Sequence, residues 1–166
     1  RGSEMGTAPI KAGWVMRPSL LVRRLGRSGG TERYVHGLAC WLLRQGVSFD
    51  LWCTGIDEEV PGLEPMILPF RARGRIWKLW AADRAFSKIP HTEKQISFVR
   101  AGRAGVHRAG GGCHLRWMQL EGGGAASRLE LSIEKKVLNG ARLIIANSEL
   151  AARDLGALYE IPEERI

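Results

Sequence analysis

The sequence is short of cysteine. Its three, Cys40, Cys53 and Cys113, are odd in number and irregularly spaced, which argues against a disulfide framework and for reduced thiols in a cytosolic protein. Cys113 and His114 are adjacent but lack the further ligands of a zinc set. No apolar run approaches the length needed to cross a bilayer, and residues 1–15 lack the continuous apolar core of a secretory signal. There is no G-x-G-x-x-G, no Walker loop and no internal repeat. Helix-turn-helix, zinc-finger and RNA-recognition motifs are also missing, which disfavours a nucleic-acid-binding domain. Acidic residues are scarce in one stretch. From Arg71 to Arg116, eleven Lys or Arg residues face only Asp83 and Glu93, a net +9 in a chain of net +8. A basic face of this kind implies an anionic partner: nucleic acid, acidic lipid or a phosphorylated glycan.

What the chain does have is one organising stretch. At 166 residues it makes a single domain, large enough to bury roughly 70% of its unfolded surface. Leu20-Leu21-Val22 is a short buried-strand run, and Gly26-Arg27-Ser28-Gly29-Gly30 is a turn. From Thr31 the period changes: Tyr34, Val35, Leu38, Ala39, Leu42 and Leu43 recur at helical spacing, and Gly46 stops the helix. Phe49, Leu51 and Cys53 then alternate as a strand. This is a βαβ unit, whose crossover is right-handed. The glycine turn after such a first strand walls the ligand crevice of an open parallel sheet. The N–H groups at the start of the next helix favour an anion there, although Gly29-Gly30 also suits a plain tight turn.

Further along, Met66-Ile67-Leu68 reads as a strand between two prolines, and Arg71 to Lys88 as a basic loop leading into a helix. On that helix Trp77 and Trp80 share a face with Arg84. They either pack inward beneath a solvated basic face or lie in a membrane interface, with Arg71, Arg73, Arg75 and Lys78 on anionic head groups. Gln95 to Val99 is a strand, followed by a loop with Arg100 and Arg103. Val106 to Ala109 is a short extended piece before Gly110-Gly111-Gly112. That tract lies among Arg100, Arg103, Arg108 and His114, the donors a site for phosphates or sugar hydroxyls requires. A helix from Ser127 to Gly140, a buried strand at Leu143-Ile144-Ile145-Ala146 and a helix capped by Asn147-Ser148 complete the chain. The order of elements predicts an α/β, Rossmann-like, mostly parallel sheet with helices on both faces. Leu20–Val22, Phe49–Trp52 and Leu143–Ala146 are expected as parallel neighbours.

Three stretches carry a family resemblance. Ser28-Gly29-Gly30-Thr31-Glu32-Arg33-Tyr34-Val35 with Leu42-Leu43-Arg44-Gln45-Gly46 resembles the opening of family 4 glycosyltransferases, "GG-x-E-R" and then "L-x-x-x-G-H-x-V", with Val47 in the histidine's place. Val106-His107-Arg108-Ala109-Gly110-Gly111-Gly112-Cys113-His114 is similar to a segment of the lipopolysaccharide-core glucosyltransferase group. Ala141 to Glu149 and Tyr159 to Ile166 resemble the last strand and helix of the family's N-terminal domain. The resemblance implies the N-terminal half of a two-domain GT-B fold, holding the acceptor while a C-terminal domain holds most of a UDP- or ADP-linked sugar. It implies transfer with retention and no catalytic metal or other cofactor, in agreement with the lack of a D-x-D. Gly29 and Gly30 would approach the donor diphosphate. Arg100, Arg103, His107, Arg108, Gly110, Gly111, Gly112 and His114 would line the acceptor side. The acceptor would be a lipopolysaccharide-core, lipid-linked or polysaccharide glycan, with the protein peripheral on the inner membrane face.

Two departures from the family pattern matter. Gly111 stands where some relatives place an aspartate, and glycine cannot act as a base, so no catalytic residue is assigned. The C-terminal donor domain is absent from the 166 residues, so this chain alone is expected to be inactive. An acceptor-binding or interaction module without catalysis is the alternative. Residues 1–15 are expected to be a tag or leader, with Met16 a plausible native start and residues 16–166 the domain.

Overall fold

The computed structural model describes residues 17–166, so the expected leader and Met16 lie outside the described residues. The strands are β1 (Ser19–Leu21), β2 (Asp50–Cys53), β3 (Met66–Ile67), β4 (Gln95–Ser97), β5 (Val106–Ala109) and β6 (Leu143–Ala146). The helices are α1 (Gly30–Arg44), α2 (Arg75–Phe86), α3 (His114–Glu121), α4 (Ala125–Gly140) and α5 (Glu149–Tyr159). All six strands pair in parallel in the order β3-β2-β1-β4-β5-β6.

Register explains the two faces. Leu20 lies opposite Leu51 and Ile96, and Leu21 opposite Trp52 and Ser97. Strand alternation therefore sends Leu20, Val22, Leu51 and Cys53 to one side, where Val35 and Ala39 of α1 bury them. Leu21 goes to the other, against Ala85 and Phe86 of α2. A third cluster joins Ala109 and Ile144 to Leu138 of α4 and Leu155 of α5. Helices thus cover both faces, as the order of elements predicts. Gly46 takes a φ of +69° just past α1, and the Ser148 hydroxyl caps α5 by accepting from the Ala151 N–H.

Two expectations, both about β6, need correction. β6 is parallel to β1 and β2 but is not their neighbour, because β4 and β5 stand between. The short extended piece expected at Val106 to Ala109 is a strand of the sheet, pairing with β4 and β6. Nor is β6 buried on both sides: Ile144 is covered, while Leu143 and Ile145, which the register puts on the Leu20 side of the sheet, are exposed. A helix also follows the glycine tract, in a stretch for which the sequence had suggested no element. It starts at His114, with the Cys113 sulfur accepting from the Arg116 N–H.

Candidate functional site

Strand order reverses direction at β1, whose neighbours β2 and β4 run off to opposite edges. In open parallel sheets the ligand crevice opens at that switch, beyond the carboxyl ends of the strands. The two glycine-rich stretches meet there. Gly29 is the N-cap of α1, with no side chain capping the free N–H groups of that turn. A Cβ on Gly110 would stand 3.2 Å from the Thr31 hydroxyl and 2.7 Å from Arg108 Nη1, so the glycine tract abuts the first turn of α1. Arg108 lies with its guanidinium 4.3 Å above the Tyr34 ring, a cation–π contact that holds it against the same helix. The Asn147 amide donates to the Gly110 carbonyl at 3.0 Å and ties the tract to the end of β6.

Beside the tract sits a fan of charged groups. Arg100 donates to Glu130 from Nη1 (3.0 Å) and to the Gly112 carbonyl from Nη2 (3.1 Å). Its Nε pairs with Glu134 at 3.0 Å. Glu134, only 2% exposed, also accepts from the His114 N–H at 3.0 Å and from the Tyr159 hydroxyl. The phenol is held protonated well above its ordinary pKa, first by burial and then by its bond to Glu134. Glu130 also accepts from Arg75 at 3.1 Å. Burial alone would raise the Glu130 pKa, but the Arg75 bond, with the His114 and Arg100 charges, outweighs that and holds it below the usual carboxylate value. Burial leads in raising the Cys113 thiol, an inert group.

Around this fan lie three hollows that share walls. One of about 230 Å³ is lined by Arg75, Arg100, Gly111, Cys113, His114, Trp117 and Glu130. A second of about 300 Å³ runs between Gly30, Thr31, Glu32, Phe98, Arg100 and Glu130. The third, of about 470 Å³, is bounded by Arg23, Gly74, Arg75, Lys78, Leu79 and Glu130. Glu130 borders all three.

The structure therefore brings Gly30, Arg100, Gly111 and His114 to one cleft, with Gly29, Arg108, Gly110 and Gly112 close by. It does not place His107 there. That side chain faces the sheet interior opposite Ser97, 2% exposed, with Nδ1 unpartnered. Arg103 is exposed and borders none of the three hollows. Of the basic segment, Arg75 and Lys78 turn into the cleft, whereas Arg71 and Arg73 stay at the surface. Trp77 and Trp80 do not pack inward: they are 64% and 48% exposed, edge to face with each other. Arg23, Trp117 and Glu130, which line the cleft, and Glu134, which holds Arg100 from the interior, were missed in the sequence. The usable signal was Glu130 and Glu134, one turn apart on a helix whose Ile133, Val137 and Leu138 are apolar.

His107 supplies a pH signature. Burial, and after it the Arg100 charge, pushes its pKa down to about 4, against ~6.5 in an unfolded chain. The fold holds the neutral imidazole, so below ~6.5 the unfolded state binds the extra proton and stability falls with pH until about 4. The full loss is about 3 kcal/mol. Urea unfolding at pH 7 and pH 4.5 should show most of it, and His107→Gln should flatten the dependence. Equal slopes in the two proteins would remove His107 as its source.

A parallel α/β sheet with a glycine-turn helix and an uncapped N-terminus at the strand switch defines a Rossmann-like domain. Residues 28–166 match the sequence model of Glycosyltransferase Family 4, and the chain belongs to that family. The crystal structure of WaaG, a glycosyltransferase involved in lipopolysaccharide biosynthesis, superposes with a TM-score of 0.73 at 13% identity. The match covers 89% of this chain and 43% of WaaG, so the chain spans less than half of that protein's length. No curated protein matches the chain in sequence.

Proposed function

We propose that this chain is the acceptor-binding, N-terminal part of a retaining glycosyltransferase. It would receive a sugar from a UDP- or ADP-linked donor onto a lipopolysaccharide-core, lipid-linked or polysaccharide glycan. The observation that carries this is the convergence of the α1 glycine turn, the Gly110–Gly112 tract and the Arg100–Glu130 fan on one cleft. N–H groups at the start of α1 suit a departing diphosphate, and the fan offers paired donors and acceptors for sugar hydroxyls. In a GT-B enzyme a second domain carries most of the donor contacts. The isolated chain is accordingly expected to bind UDP or an ADP-sugar weakly and to transfer no sugar. Calorimetry showing micromolar nucleotide affinity would place the donor site in this domain and overturn that division of labour.

A second element of the proposal is peripheral attachment to the inner membrane face. No helix among the described residues is long and apolar enough to cross a membrane. The exposed Trp77 and Trp80, with Ile76 beside them and Arg71, Arg73 and Lys78 close in sequence, suit an interface instead. Each cation near an anionic surface is worth about 1 kcal/mol, screened over roughly 10 Å at 0.1 M salt. The protein should co-sediment with anionic vesicles at low salt, with tryptophan emission shifted to the blue. Changing Arg71 and Arg73 to glutamate should weaken that binding. Wild-type protein left in the supernatant would refute the attachment.

A further inference from the structure

Trp117 forms a wall of the hollow of about 230 Å³, beside Arg75, Arg100 and Glu130. Its indole stacks on the His114 imidazole, with centroids 5.3 Å apart and planes 17° from parallel, while 43% of the residue stays exposed. The His114 ring is itself fixed by donating from Nε2 to the Ser127 carbonyl at 3.2 Å. The tryptophan is thus a braced aromatic surface beside a polar pocket.

A pyranose ring presents two kinds of surface: patches of polarised C–H hydrogens, and a rim of hydroxyls. The electron-rich face of an indole attracts the first. Guanidinium donors in fixed fork geometry and an ionised carboxylate that only accepts satisfy the second. This hollow has all three, and its charges balance, because Arg75 and Arg100 are paired with Glu130 and Glu134. It suits a neutral, polar ring better than a bare ion.

The adjoining hollow of about 470 Å³ shares Arg75 and Glu130 and adds Arg23 and Lys78. Neither has a carboxylate partner among the described residues, and the Arg23 guanidinium lies 6.0 Å from the Phe70 ring. Two uncompensated cations therefore border a charge-balanced pocket. Resting on the acceptor-binding reading, we infer that the two hollows hold a phosphorylated sugar unit of the acceptor. Its ring sits on Trp117 within the Arg75–Glu130 fork, and its phosphate points to Arg23 and Lys78.

Saturation-transfer NMR on the intact chain with glucose 6-phosphate, glucose and inorganic phosphate tests this. Glucose 6-phosphate should receive saturation at its ring hydrogens and bind at least about fivefold tighter than glucose. Trp117→Ala should weaken it about tenfold, and Trp117→Phe, which keeps an aromatic face, should retain most of the binding. Arg23→Gln with Lys78→Gln should bring glucose 6-phosphate down to the affinity of glucose and leave glucose unchanged. Binding that survives Trp117→Ala, or inorganic phosphate binding as well as the phosphosugar, would overturn the subsite and leave the acceptor reading standing. If no sugar binds while a nucleotide-sugar binds at micromolar concentration, both fall.

Discussion

Glu134→Ala is expected to lose about 3–5 kcal/mol of stability, the usual result of removing one member of a buried ion pair. Glu134 receives donors from three different elements: the Arg100 side chain after β4, the His114 N–H at the start of α3, and the Tyr159 hydroxyl at the end of α5. Tyr159 in turn accepts from the Leu115 N–H at 3.2 Å, so the carboxylate and the phenol together hold the first turn of α3. Alanine would leave the tyrosine hydroxyl and a backbone N–H unpaired in a part-buried setting, each at a cost of about 1–3 kcal/mol. Arg100 would keep Glu130 but lose the contact that sets its angle toward Gly112. Glu134→Gln keeps an acceptor oxygen and should lose clearly less. Urea midpoints for the two variants check this. A Glu134→Ala protein within about 1 kcal/mol of wild type would mean that the carboxylate does not brace these elements.

That network also shows where the sequence was informative. The β1–α1–β2 unit was legible because its apolar residues switch period from strand to helix and a glycine stands at each joint. A glycine at φ +69° after α1 is a local matter, and local matters show in sequence. The place of β6 was not legible, since chain order does not state spatial order. Three strands, β1, β4 and β5, stand between Leu51 and Leu143, and the last of them, Val106–Ala109, carries His107 and Arg108. Its polar residues hid it: His107 is buried, and Arg108 leaves the sheet to stack on Tyr34. Helix α3 was hidden because three glycines precede it and a cysteine sulfur, a weak acceptor, caps it.

Gly111 is a related case. Read in sequence, it is the loss of an aspartate. In the fold, a Cβ there would come within 2.8 Å of Arg100 Nη2, so Arg100 itself fills the space beside it. Glu130 lies across the same hollow and puts a carboxylate there. Only the folded chain puts Arg100 and Glu130, thirty positions apart, within 3.0 Å.

Gly105→Ala should cost more than about 4 kcal/mol, the exceptional end of single substitutions. The residue ends a stretch, Arg100 to Gly105, that reads in sequence as an arginine- and glycine-rich loop, and it is buried between β4 and β5. A Cβ built on it collides with the Glu93 carbonyl oxygen and lies 2.7 Å from the Glu93 carbonyl carbon and Cα. These are backbone atoms, which cannot swing aside as the end of a side chain can. Nor is Gly105 free to retreat, because its carbonyl accepts from the Arg142 N–H at 2.9 Å and the Leu143 N–H at 3.1 Å. Those two bonds seat the start of β6 beside β5. Relief would require moving either the approach to β4 or the β5–β6 pairing, and both position the cleft. Overpacking in a core ordinarily costs about 1–3 kcal/mol because side chains share the strain; here two backbone segments meet and no side chain can give way. Gly124 is the control. A Cβ there meets nothing within 4 Å, and Gly124→Ala should shift the unfolding midpoint little. Comparable midpoints for the two variants would show that Glu93 and Gly105 are not packed against each other.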